Sequence, residues 1–254
     1  MKGVVLAGGT GSRLHPLTRV TNKHLLPVYD RPMIYYPLQT LVEAGINEIL
    51  IVTGGNSAGE FLRLLQNGAE FGVQRLEFAY QEGEGGIADA LRLAEMFAAN
   101  ESICVILGDN IIEGTIGAAR QNFEKQQKGA KILLKEVPDA ERFGVPVFQG
   151  EKLVRIEEKP EFPASSFAVT GIYFYDATVF DRIRKLRPSH RHEYEITDVN
   201  NSYLREAQLT YDILDGWWTD AGTFESLWQA GNMVRKKVLC RQQREPLAQP
   251  EQIR

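Results

Sequence analysis

The sequence predicts an α/β fold: a mostly parallel sheet flanked by helices, joined to a second half of mixed strands. Three observations predict it. Apolar runs of strand length recur at residues 4–7, 46–54 and 102–109 with little of the alternation of a half-exposed strand, a pattern typical of strands buried on both faces. Stretches with apolar residues at helical spacing fall between these runs, so strand and helix alternate and the connections are right-handed crossovers. Beyond residue 129 strand-like runs follow one another more closely, with a hairpin among them, which predicts the mixed half.

The first strand, 4–7, lies between Gly3 and Gly8. Met33, Ile34, Pro37, Leu38, Leu41 and Val42 recur at helical spacing, and Gly45 stops that helix. A strand over 46–54, a helix over 59–65 and a strand over 76–80 follow. A helix over 88–97 presents Leu91, Leu93, Ala94 and Phe97, and the strand SICVILGD ends at Gly108-Asp109. A helix then runs from beyond Gly114 to about 127, followed by a strand over 130–137. The segment 144–160 reads as a hairpin turning at Gly150. A strand over 167–176, helices over 176–183 and 195–204, and short strand or loop pieces at 209–214 and 216–222 complete the second half. The last helix, 223–239, carries Arg235, Lys236 and Lys237 near its end, where cations suit the helix dipole. Residues 241–254, polar and with two prolines, are expected to be disordered.

Composition narrows the function classes. The 254 residues carry 29 Lys and Arg against 33 Asp and Glu, a net charge of −4, which gives no global reason to bind nucleic acid. The two cysteines, Cys104 in an apolar strand and Cys240 alone, form neither a disulfide framework nor a zinc site. The start, MKGVVLAGG, is too short and too glycine-broken for a signal sequence or a membrane span, so a cytoplasmic protein is expected.

The residues that carry chemistry sit at strand ends. Gly8, Gly9 and Gly11 follow the first strand, where glycine lets backbone N–H groups approach phosphates. A dinucleotide fingerprint counted from Gly9 fails at Leu14, and no Gly-Lys-Ser/Thr makes a P-loop; Arg13 and Lys23 offer fixed positive charge instead. Asp109 closes the most apolar strand, a place that demands a compensating cation, and Asp220 in GWWTDAG has a similar setting; together they suit a magnesium ion. Lys159 before Pro160 suits a phosphate, Glu158 sugar hydroxyls, and Arg191 an anion. Glu82 and Glu84 read as solvated loop residues. His190 and His192 lack a further metal ligand, and Trp217-Trp218 suits either a core or a pocket wall.

The stretches KGVVLAGGTGSRLHPLT, NKHLLPVYDRPMIYYPLQTLVEAGI, ILGDN, ERFGVPVF, IEEKP, AVTGIYFYD, EITDVNNSYL and GWWTDAGT together resemble the sugar-phosphate nucleotidylyltransferases, and most closely their glucose-1-phosphate thymidylyltransferase branch. They span nearly all of residues 2–223. The resemblance implies one Rossmann-like domain over 1–240, with a nucleotide part (1–115), a sugar-phosphate part (116–222) and a closing helix (223–240). It implies that Leu6, Gly8, Gly9, Gly11, Arg13, Gln81, Gly86 and Asp109 bind the nucleotide, and that Asn110, Gly144, Glu158, Lys159, Thr170 and Arg191 bind the sugar phosphate. Arg13, Lys23, Lys159 and Asp109 would act in the transfer, and Asp109 and Asp220 would hold Mg2+. The implied reaction joins dTTP and α-D-glucose 1-phosphate into dTDP-glucose and diphosphate, a precursor for rhamnose or other deoxysugars of polysaccharides.

Alternatives are UTP or another hexose 1-phosphate, a nucleotide-dependent oxidoreductase, and a non-catalytic nucleotide-sugar sensor. Asp89 stands where the family often has Gln, and Phe143 where it often has Tyr. With a polar tail where longer members continue as helices, the sequence resembles the short form, so feedback regulation and a tetramer are not carried over as expectations, although a homo-oligomer remains compatible.

Overall fold

The computed structural model describes residues 1–244. Strand β1 (Lys2–Ala7) is buried throughout. A tiny hairpin, β2 (Pro27–Val28) with β3 (Arg31–Pro32), precedes helix α1 (Tyr35–Glu43). Then come β4 (Glu48–Gly54), α2 (Ala58–Leu65), β5 (Arg75–Gln81), the short helices α3 (Ile87–Arg92) and α4 (Glu95–Ala98), and β6 (Ile103–Leu107). After β7 (Asn110–Ile112) and α5 (Gly117–Gln126) come β8 (Ala130–Glu136), β9 (Gly144–Gln149), β10 (Lys152–Glu158) and β11 (Phe167–Tyr175). Helices α6 (Val179–Ile183) and α7 (Ile196–Arg205), strands β12 (Leu209–Ile213) and β13 (Trp218–Asp220), and α8 (Phe224–Arg244) close the chain.

The main sheet has nine strands, ordered β10-β9-β11-β6-β1-β4-β5, with β8 on β11 and β12 on β8. Strands β6, β1, β4 and β5 are mutually parallel. β11 runs antiparallel to β6, β8 and β9, and β9 to β10, so the sheet is parallel in its first half and mixed in its second. Val4 and Leu6 enter one core cluster and Val5 and Ala7 the other, which is why the β1 run shows no polar alternation. One face is covered by α3, α6 and α7 through Leu91, Phe180, Val199 and Tyr203; the other by α1, α2 and α5 through Leu41, Phe61 and Phe123. A third cluster joins Ala230 and Val234 of α8 to Val28, Met33 and Ile111.

Three differences from the sequence pattern have local causes. The helix expected over 88–97 is split at Leu93-Ala94, where the amides of Leu93 and Ala94 bond three residues back, to Ala90 and Leu91. The final helix continues to Arg244 instead of stopping before 241, because Arg and Gln are good helix formers and the first proline comes at 246. The rest of the expected tail, 245–254, lies outside the described residues. The strand pair β7–β13 also forms from runs too short for a periodic signal.

Candidate active site

The carboxyl ends of parallel strands point their loops to one edge of a sheet, and ligands bind in the crevice there. Here that edge receives the glycine loop after β1, Gly54, Gln81 and the Gly108-Asp109 turn after β6. An open cleft of roughly 420 Å³ runs from these loops onto β9, β10 and β11.

Glycine is required in the first loop. Gly9 and Gly11 have φ of 89° and 63°, and a Cβ on Gly8 would lie 2.8 Å from Gln81 Oε1. Thr18 Oγ1 donates to the Gly11 carbonyl (2.7 Å) and fixes the loop. The Thr10 amide donates to Glu84 Oε1 at 2.8 Å, so Glu84 is exposed but bound to the loop and lines the cleft, which corrects its reading as a merely solvated residue.

The acid pair is assembled by β7 and β13. Their register sets Asp220 opposite Asn110, and the Ala221 amide donates to the Asp109 carbonyl at 2.8 Å. A Cβ on Gly222 would lie 3.5 Å from Oδ2 of both Asp109 and Asp220 and 2.9 Å from the Arg13 guanidinium, so two carboxylates and a cation face one small space. Lys23 Nζ donates to Asp109 Oδ2 at 2.6 Å. Burial works to raise the Asp109 pKa, but the Lys23 ammonium, the His24 ring and hydrogen bonds from Lys23 and Asn110 together hold it well below the usual carboxylate range. Asp220 is pushed up to about 6 by burial and by the Asp109 charge, against the pull of Arg142 and Arg13. Arg142 bridges Asp220 (3.1 and 3.3 Å) and Asp139 (2.5 Å). His24 is held down to about 3 by burial and then by Lys23, so its ring is neutral at pH 7; Asn22 Oδ1 accepts from its amide and meets Nδ1 at 2.7 Å.

The other end of the cleft is a charged network. Glu158 accepts from Thr197 Oγ1 (2.5 Å) and Arg191 (3.1 Å); Arg191 also donates to Glu195 at 2.7 Å. Lys159 has φ of 45°, an unusual backbone for a lysine, and its amide is tied to the Phe143 carbonyl at 2.9 Å. Its ammonium is 3.7 Å from Glu158. Gly144 keeps space clear beside Thr197 and Glu158.

Of the residues singled out in the sequence, Leu6, Gly8, Gly9, Gly11, Arg13, Lys23, Gln81, Gly86, Asp109, Asn110, Gly144, Glu158, Lys159, Arg191 and Asp220 all line this cleft. Thr170 does not. It is fully buried and its hydroxyl donates to the Leu133 carbonyl (3.0 Å), because strand alternation in β11 turns Val169, Gly171 and Tyr173 to the cleft and Thr170 away. Asn110 lines the cleft with its amide committed to protein: Oδ1 accepts from Gly171 N and Trp218 Nε1, and Nδ2 donates to Asp109. Trp218 is buried, belongs to the core cluster under α1, α2 and α5 and also lines the cleft, so both readings of it hold. Sequence reasoning passed over Thr10, His24, Arg142, Tyr173, Glu195 and Thr197, although all six stood inside quoted stretches, Arg142 in ERFGV and Thr197 in EITD among them. Among the described residues no group of three or more His, Cys, Asp or Glu gathers as a metal cage, and no helix is long and apolar enough to cross a membrane.

The chain matches the nucleotidyl transferase family over residues 2–237. It is 44% identical over 239 residues to a glucose-1-phosphate thymidylyltransferase of Neisseria meningitidis, covering 92% of this chain and 83% of that protein. It is 46% identical to one of Mycolicibacterium smegmatis, covering 92% and 82%. A crystal structure of a Bacillus anthracis protein assigned as a glucose-1-phosphate thymidylyltransferase, in complex with a sucrose, superposes with a TM-score of 0.89 at 52% identity, covering 92% of this chain and 95% of that one. A UDP-glucose pyrophosphorylase shares the fold, with a TM-score of 0.82 at 23% identity, covering 94% and 99%. The chain belongs to the nucleotidyl transferase family, in its glucose-1-phosphate thymidylyltransferase branch.

Proposed function

We propose that the cleft joins dTTP to α-D-glucose 1-phosphate, giving dTDP-glucose and diphosphate. One observation carries the reading: a glycine loop with Arg13 and Lys23, a pair of carboxylates, and the charged end with Lys159 and Arg191 line a single cleft. The kinship with thymidylyltransferases selects the substrates.

The chemistry follows from the charges. An oxygen of the sugar phosphate attacks the α-phosphorus of dTTP in line, the bond from that phosphorus to the bridging oxygen breaks, and diphosphate leaves with the electron pair. The attacking oxygen is already ionised at pH 7, so the protein needs to supply orientation and charge neutralisation rather than a strong base. Arg13 and Lys23 neutralise the triphosphate on the glycine loop, Lys159 and Arg191 hold the 1-phosphate, and Glu158 with Thr197 accepts and donates to the hexose hydroxyls. Trp218 and Phe143, packed edge to face at 5.1 Å, wall the site and limit water.

The carboxylates fit Mg2+. Both present oxygen, the donor this hard ion takes, they face the space beside Gly222, and their mutual repulsion is what a divalent cation relieves. Asp109 and Asp220 would hold the ion, which would supply Lewis-acid stabilisation of charge on the transferring phosphate. A cytoplasmic site of action fits a substrate drawn from the nucleoside triphosphate pool. Diphosphate release tested over dTTP, UTP and other nucleotides against several sugar 1-phosphates checks the reading. The dTTP and glucose 1-phosphate pair should give the highest kcat/KM; a preferred pair of another kind would replace these substrates, and no release with any pair would end the enzymatic reading.

A further inference from the structure

Each acid of the pair has a cation of its own, and the two cations are held differently. Lys23 is bonded to one carboxylate, Asp109, but Arg142 is shared between two. Its Nη2 donates to both oxygens of Asp220, at 3.1 and 3.3 Å, while Nη1 donates to Asp139 at 2.5 Å. The guanidinium also lies over the Phe143 ring, 5.1 Å from its centre. Because the two carboxylates take different nitrogens, Arg142 can release Asp220 and keep both Asp139 and its aromatic support. Asp220 is the more buried of the two acids, 14% against 38% exposed, so it is the one that needs a counter-charge whenever no other cation is present. The oxygen at 3.3 Å, Oδ2, is also the one that faces the small space beside Gly222. Arg142 and a cation in that space therefore draw on the same atom.

We propose that Arg142 is the resident counter-ion of Asp220 and a competitor of the metal: it keeps the acid pair's affinity for a free divalent cation low, and withdraws onto Asp139 when a cation takes Asp220. The inference rests on the acid pair's being a divalent-cation site. Arg142 is a positioning residue, acting through Asp220 rather than on the reacting atoms. Two effects share one sign: the guanidinium occupies the oxygen that faces the cation's space, and its charge repels a divalent ion held there. An arginine that merely aims a ligand carboxylate has the opposite sign, since its loss lets the ligand turn away and weakens the metal. The direction of the change on removing Arg142 separates the two roles.

The test is Mn2+ binding at pH 8 without nucleotide, followed by electron paramagnetic resonance, on the unmutated chain, Arg142→Met, Arg142→Lys and Asp220→Asn. The titration returns the number of sites apart from their affinity, so a partly unfolded preparation loses sites and leaves the affinity readable. Arg142→Met should bind Mn2+ about tenfold more tightly, and Arg142→Lys, which keeps the charge, should stay within about threefold of the unmutated chain. Asp220→Asn should bind at least about tenfold more weakly, because it removes one of two charged ligands. If Arg142→Met binds no more tightly, or Arg142→Lys tightens as much as Arg142→Met, the inference fails while the metal site stands. If Asp220→Asn binds as tightly as the unmutated chain, the ion lies elsewhere and both readings fail.

Discussion

Asp220→Asn should make the metal-free protein more stable and the enzyme far less active. The Asp220 carboxyl, ordinarily at 3.8, is pushed up to about 6 by burial and the neighbouring Asp109 charge. The folded state therefore holds the proton more tightly than the unfolded chain, and stability falls as pH rises from about 4 to about 6. Above that range the ionised group destabilises the fold by roughly 3 kcal/mol, the free-energy equivalent of the displacement. Asparagine has the same shape and no charge, and Arg142 keeps Asp139 as a partner at 2.5 Å. Urea unfolding at pH 8 with EDTA should then find Asp220→Asn more stable by about 2–3 kcal/mol, or about 4–12 °C in Tm. The gap should close toward pH 4, and Mg2+ should narrow it at pH 8 by binding the unmutated chain. Turnover should drop at least about 100-fold. Equal or lower stability of the variant at pH 8 in EDTA would refute the claim that burial and the Asp109 charge outweigh the cations around Asp220.

The same pair makes metal affinity pH-dependent: Mn2+ binding followed by electron paramagnetic resonance should weaken as pH falls through about 6, as protons compete for Asp220, and a flat profile from pH 5 to 8 would count against that residue as a ligand. Asp109→Asn should lose at least about 100-fold in kcat while keeping its circular dichroism spectrum, although its single amide oxygen can accept from Lys23 or from Asn110 and not from both. Gly11→Ala places a Cβ at φ of 63° and 3.0 Å from Lys23 Cβ, so it should lower stability by about 1–2 kcal/mol and raise the KM for dTTP; an unchanged KM would show that the loop does not hold phosphate. Glu84→Gln should tighten dTTP binding about threefold at low salt, with the gain shrinking as salt rises, because a repelling charge beside the Thr10 amide is gone; weaker binding would mean that Glu84 contacts the nucleotide instead.

Much of the fold was legible because buried strands write themselves as unbroken apolar runs, as at β1, β4 and β6. β7 and β13 were not, since three residues cannot show a period, yet these two strands bring the acid pair together. In the site, Asp109 and the glycine loop were legible from residues that violate their local setting: a carboxylate closing an apolar strand, and glycines where a strand turns. Arg142 and Glu84 were not, because each acts through a partner that only the fold supplies, Asp220 and the Thr10 amide. Thr170 went the other way: its stretch is quotable, but one step of strand alternation turns its hydroxyl to Leu133.

A crystal structure of this chain with dTDP-glucose and Mg2+ tests the central claim most directly, that one cleft seats both substrates with their phosphates between Arg13, Lys23, Lys159 and the acid pair. The account predicts thymine against Gln81, the hexose beside Gly144 and Glu158, and the ion held by Asp109 and Asp220. A nucleotide-sugar bound away from the glycine loop, or an ion that leaves either aspartate unengaged, would contradict it.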